Sequence, residues 1–131
     1  MNQGNGAGET TGMQYKRGNT SVWTEAQQID KIKFWEPFHD ISQLPVKMQI
    51  WELEPGATEG NHVHDRFDTG KNGNLEEIYY FLSGNGTMWS DGTDVPVSSG
   101  DAVLAPPGSE HGVRNTGEDL LKLIIIWGKR I

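Results

Sequence analysis

Residues 77–115 read EIYYFLSGNGTMWSDGTDVPVSSGDAVLAPPGSEHGVRN. Short runs rich in β-branched and aromatic residues, Glu77 to Leu82, Thr87 to Ser90, Val95 to Val97, Ala102 to Ala105 and His111 to Val113, alternate here with clusters of Gly, Pro, Asn, Asp and Ser. The clusters are Ser-Gly-Asn-Gly at 83–86, Ser-Asp-Gly-Thr at 90–93, Ser-Ser-Gly-Asp at 98–101 and Pro-Pro-Gly-Ser at 106–109. Gly reaches positive φ and Asn, Asp and Ser bond their own backbone, so each cluster is a turn with a mechanism. Many short strands at this spacing predict an all-β sandwich, jelly roll or barrel.

The pattern extends in both directions, through a strand at Lys47 to Leu53 upstream and, after the turn Asn-Thr-Gly-Glu at 115–118, a strand at Leu120 to Trp127. Residues 22–39 are ambiguous: Ile29, Ile32 and Trp35 recur at helical spacing, while Ile32 and Phe34 alternate like a strand. Residues 1–14 carry four Gly and no Leu, Ile, Val or aromatic residue, so they are expected to be a flexible tail ahead of a single domain at 15–131. A chain of 131 residues holds one such domain. Its net charge of -7 repels phosphate backbones, and its 11 Lys and Arg form no basic stripe, which argues against nucleic acid. The longest unbroken apolar run, Leu123 to Trp127, falls far short of the ~20 residues that span a bilayer, and no signal-peptide pattern opens the chain. The expectation is a soluble cytoplasmic protein with no membrane partner.

Cysteine is absent, so a metal site here would need His and carboxylate. Two of the four His form His62-Val63-His64, and in a strand residues i and i+2 share a face, spaced to grip one ion. Glu77 shares a strand face with Tyr79 and Phe81, where an unpaired carboxylate is costly to bury and a cation would offset that cost. His111 follows the sharp turn Pro106-Pro107-Gly108-Ser109. Three neutral imidazoles and one carboxylate suit one divalent Mn, Fe, Co, Ni, Cu or Zn ion and leave up to two positions open.

These residues resemble the cupin family. Its first motif, Gly, five residues, His-x-His, three or four residues, Glu, six residues, Gly, is filled by Gly56, His62, His64, Glu77 and Gly84. Its second, Gly, five residues, Pro-x-Gly, two residues, His, three residues, Asn, is filled by Gly100, Pro106, Gly108, His111 and Asn115. The resemblance implies a double-stranded β-helix, that is a small jelly-roll barrel, with a metal ion held by His62, His64, Glu77 and His111. One departure stands out: twelve residues, Asp65 to Glu76, separate His64 from Glu77. This polar insertion reads as a solvated loop or as a lid whose Arg66 or Lys71 meets an anionic substrate.

Trp51, Trp89, Trp127, Tyr79, Phe81 and Met48 are expected in the barrel core, with Trp51 and Phe81 also candidates for lining a substrate pocket. Glu59, Glu110 and Tyr79 are the candidate general acids or bases, and Arg114 should point out of the barrel. His39 lies outside both motifs and reads as a surface or structural residue. A divalent ion with three neutral His and one Glu keeps a charge of about +1 and attracts a small chelating acid. The resulting expectation is a metal-dependent enzyme doing isomerase, tautomerase, cyclase or lyase chemistry on a keto or sugar-derived acid. The alternatives are a dioxygenase and a non-catalytic module that binds a small ligand. The final strand is apolar on both faces, Leu121, Leu123, Ile125 and Trp127 on one and Ile124 and Ile126 on the other, which predicts a homodimer unless the segment around Phe34 and Trp35 covers the second face.

Overall fold

The computed structural model describes residues 12–18, 23–25, 31–60, 74–90 and 92–131, together with the backbone of 62–63. Among the described residues, ten strands run β1 Thr24–Glu25, β2 Ile32–Trp35, β3 Lys47–Leu53, β4 His62–Val63, β5 Leu75–Ser83, β6 Asn85–Ser90, β7 Thr93–Ser98, β8 Ala102–Ala105, β9 Glu110–Arg114 and β10 Leu121–Lys129. They form two antiparallel sheets, one in the order β1-β2-β3-β10-β5-β8 and the other β4-β9-β6-β7. The chain passes from the first sheet to the second at the β5–β6 turn and returns at β8, which is the jelly-roll path the turn spacing predicts. Among the described residues, no helix is long and apolar enough to cross a membrane.

Alternation decides what fills the barrel. Along β5, Leu75, Glu77, Tyr79 and Phe81 are buried while Ile78, Tyr80 and Leu82 are exposed. Along β10, Leu121, Leu123 and Ile125 are buried. They meet Leu53, Met88, Val97, Ala105 and Val113 in one cluster, with Trp51, Val103 and Trp127 packed against it. Two residues expected inside are outside. Met48 pairs with Ile126, not with an inward residue, and is 39% exposed. Trp89 is half-buried on the outer face of β6, because its neighbour Met88 takes the inward position.

Within the stretch 22–39, ambiguous by periodicity, residues 32–35 are strand. β2 pairs with β3 so that Ile32 meets Leu53 and Phe34 meets Trp51, with the last two rings stacked 6.0 Å apart. The sheet edge offered by β3 thus overrides the weak helical spacing. The expected tail at 1–14 lies outside the described residues except for 12–14.

Asn115 closes the barrel beside the site. Its side-chain amide donates to the carbonyls of Leu53 and Asp119, both at 2.8 Å, and its Oδ1 accepts from the Gly117 N–H at 2.9 Å. Its backbone binds both Gly56 and Ala57, so one buried side chain ties the end of β3, the loop before β4 and the turn into β10.

Candidate metal centre

The turn Pro106–Ser109, closed by the Ser109 N–H on the Pro106 carbonyl at 3.1 Å, delivers His111 to β9 with its ring inward and 1% exposed. Glu77, near the start of β5, also faces inward and is 8% exposed. The two meet across the gap between the sheets, His111 Nε2 lying 2.8 Å from Glu77 Oε1. His111 Nδ1 is 3.0 Å from the Ser109 carbonyl. A carbonyl only accepts, so Nδ1 carries a proton and donates it. Nε2 then either bears a second proton or turns a lone pair toward the carboxylate, which also carries only lone pairs. A cation resolves that second arrangement, and an imidazole nitrogen beside a carboxylate oxygen is the donor set that divalent transition metals take. The Nδ1–H to backbone carbonyl bond is the kind of support that fixes a ligating imidazole's tautomer. His111 and Glu77 therefore fit a metal.

His62 pairs with His111 across β4 and β9, which brings the His62 backbone to the rung of His111 in the second sheet. The His62 side chain, His64, Arg66 and Lys71 lie outside the described residues, as does most of the Asp65 to Glu76 insertion. No group of three His, Asp or Glu side chains converges among the described residues. The last part of the insertion is anchored: Asn74 exchanges hydrogen bonds with Arg130, and Arg130 Nε donates to Glu76 Oε1 at 2.8 Å. Glu76 is thus engaged by the C-terminal segment, on the opposite strand face from Glu77.

Tyr79 lies two residues beyond Glu77 on the same face and is fully buried, its ring edge-on to His111 at 5.8 Å. Its hydroxyl donates to Glu59 Oε1 at 3.2 Å. Burial first, and then the charges of Glu59 and Glu77, push the phenol well above its ordinary value. Tyr79 is consequently a protonated donor at neutral pH that fixes Glu59, not a base. Glu110 alternates away from His111 and is exposed, as is Arg114. Trp51, on the inner face of β3, donates its indole N–H to Gln49 Oε1 at 2.6 Å, and Phe81 is fully buried in the core. His39 sits far along the chain from both motifs, with Nδ1 3.2 Å from the Glu36 carbonyl. The roles of Tyr79 as a holder of Glu59 and of Asn115 as a clamp were not legible as such, because each depends on partners more than three residues away.

The model of the cupin domain family matches residues 49–127. An oxalate-binding protein of Thermotoga maritima is 33% identical over 91 residues, which cover 70% of this chain and 66% of that protein's length. Among solved structures, a predicted oxalate decarboxylase from Thermotoga maritima superposes with a TM-score of 0.63 and 25% identity, covering 76% of this chain and 81% of the other. A cupin 2 conserved barrel domain protein from Salinispora arenicola gives a TM-score of 0.71 at 22% identity, with 90% of each chain covered. The match spans the barrel from β3 to β10 and includes Glu77 and His111, and with both motifs and the two-sheet topology in place, the chain belongs to the cupin family.

Proposed function

We propose that the chain is a metal-dependent cupin that acts on a small carboxylate-bearing molecule inside the barrel, with His62, His64, Glu77 and His111 as ligands of one divalent ion. The observation that carries this reading is the buried Nε2 to Oε1 approach of His111 and Glu77, whose other ring nitrogen is already committed to a carbonyl. A bound divalent ion would supply Lewis acidity toward a chelating acid. The chain's own residues do the rest. Ser109 and Glu77 orient the His111 ring, Tyr79 holds Glu59 where its carboxylate can exchange a proton with a bound acid, and the apolar wall of Phe81, Leu123 and Ile125 excludes water. Lewis-acid isomerase or lyase chemistry on a hydroxy or keto acid follows from these parts. The name of the Thermotoga maritima relative favours a second reading, in which a small dicarboxylate is bound and not converted.

The readings separate over oxygen and metal. Protein reconstituted with Zn is expected to convert its acid under argon at the rate seen in air, since no redox step is required. Turnover that stops under argon and returns only with Fe, Mn, Ni or Cu would replace this reading with a dioxygenase. Oxalate and keto acids bound by the zinc form but never converted would favour the binding module, and equal binding by metal-free protein would sink the metal centre.

We also infer a homodimer built on the outer face of the six-stranded sheet. Met48, Ile126, Ile78 and Leu104 occupy one continuous cross-strand row, and each is more than a third exposed. Ile50, Ile124 and Tyr80 form the next row. Among the described residues, β2 extends this sheet at its edge and the Met48 row stays exposed. Light scattering should therefore give about twice 14.6 kDa at micromolar concentration, and Ile126→Asp should return the monomer mass. A monomer mass for the unaltered chain would defeat the dimer.

A further inference from the structure

The four-stranded sheet carries a cavity on the side away from His111 and Glu77. It has a volume of about 280 Å³ and is bounded by Thr58, Thr87, Trp89, Asp94, Arg114 and the β9 residues Gly112 and Val113. The register explains why it exists. Across β9, β6 and β7, Gly112, Trp89 and Asp94 form one row and Arg114, Thr87 and Pro96 the next. The intervening residues His111 and Met88 are buried in the barrel, and Val113, although it borders the cavity, is only 2% exposed, so the sheet lies between this cavity and the interior. Gly112 has no side chain to lay against Trp89, and the indole is left half-buried beside a gap. Among the described residues, Trp89 makes no ring contact, and the side chains of Asp94 and Arg114 make no hydrogen bond or ion pair. An aromatic face, a carboxylate and a guanidinium thus border one recess without being used by the fold.

We propose that this recess binds a neutral polyhydroxylated ring, a pyranose being the simplest, on the outside of the barrel. The charge arrangement selects the ligand class. An oxyanion would gain Arg114 but meet Asp94, and a cation would do the reverse, whereas hydroxyl groups both donate and accept. Vicinal hydroxyls can donate to the Asp94 carboxylate and accept from the Arg114 guanidinium, both charge-assisted bonds. The C–H face of the ring then covers the Trp89 indole, an apolar contact that needs no charge. Thr58 Oγ1, 3.2 Å from the Gly60 N–H, and Thr87 Oγ1, 3.2 Å from Thr116 Oγ1, are oriented by these partners and extend the polar rim. The volume lies just below the ~300–1,000 Å³ usual for small-molecule sites, which suits one ring. This site is independent of the barrel chemistry proposed above.

The test titrates methyl α-D-glucopyranoside, methyl α-D-mannopyranoside and methyl β-D-galactopyranoside into the full metal-loaded chain, following the indole N–H resonance assigned to Trp89 by its loss in Trp89→Phe. At least one glycoside should shift that resonance saturably, with the millimolar Kd expected of a ligand of about thirteen non-hydrogen atoms. Asp94→Asn and Arg114→Met, both exposed positions that leave the core intact, should each weaken binding about tenfold and leave metal content unchanged. Removing the metal with EDTA should leave the shift in place. Absence of a saturable shift with all three glycosides overturns the proposal, as does binding indifferent to both variants. Binding lost with the metal would move the sugar into the barrel and overturn it equally.

Discussion

In protein carrying His111→Ala, divalent metal is expected to bind about 100-fold more weakly, or worse, while the strand content of the barrel survives. The size of the effect follows from position. His111 brings an imidazole that is 1% exposed, already oriented by the Ser109 carbonyl, to within 2.8 Å of the Glu77 carboxylate. Disturbing only the outer partners of a metal ligand costs roughly 10- to 100-fold in affinity, and deleting the ligand itself costs at least the upper part of that range. The fold should persist because the apolar cluster from Leu53 through Ile125 does not include this side chain. Some loss of stability is still expected, since Tyr79 loses the ring it packs against edge-on. Elemental analysis of the purified variant, with circular dichroism as the control on folding, checks both parts. Stoichiometric metal in folded His111→Ala protein would remove His111 from the site, and Glu77→Gln, which keeps the shape of the side chain but not its charge, should lose metal in parallel.

The strands around this site were legible because turn chemistry and alternation agree from β3 onward. Lys47–Leu53 and Ala102–Ala105 have the boundaries the sequence suggests, the last strand starts one residue later and ends two later than expected, and the other predicted strands grow by one or two residues at an end, where ladder bonding continues into turn residues such as Asn85 and Ser98. Glu77 and His111 stand out in the sequence through motif spacing, and the fold brings the two buried side chains within 2.8 Å of each other. What escaped was anything set by tertiary pairing. Met48 and Trp89 look like core residues by hydrophobicity, yet register places them on outer faces. Periodicity could not decide residues 32–35, since their strand state depends on the exposed edge of β3. Nor could spacing show that Tyr79 reaches Glu59, twenty residues back in the chain.

The second large effect concerns a motif position that does no chemistry. Gly84→Ala is expected to destabilise the fold by more than about 4 kcal/mol, enough to remove most of the ~5–15 kcal/mol that holds a domain together. Gly84 joins β5 to β6, where the chain leaves one sheet for the other, at a φ of 89°. A Cβ there would lie 2.4 Å from the Leu120 carbonyl oxygen and 2.9 Å from the Leu121 Cα. Both are backbone atoms, so no rotamer change relieves the overlap. Leu121 opens β10 with its side chain fully buried, and the β10–β5 register already shifts between Lys122 and Leu123, so displacing this strand end disturbs the central pair of the larger sheet. Gly100→Ala provides the comparison. Its φ of 93° carries a similar conformational cost, about 1–2 kcal/mol, but nothing lies within 4 Å of the added carbon. Urea unfolding of the two variants should therefore separate strain from collision, with Gly84→Ala failing to fold or losing several kcal/mol more than Gly100→Ala. Equal losses would show that the close approach of β10 is not what demands glycine at this turn.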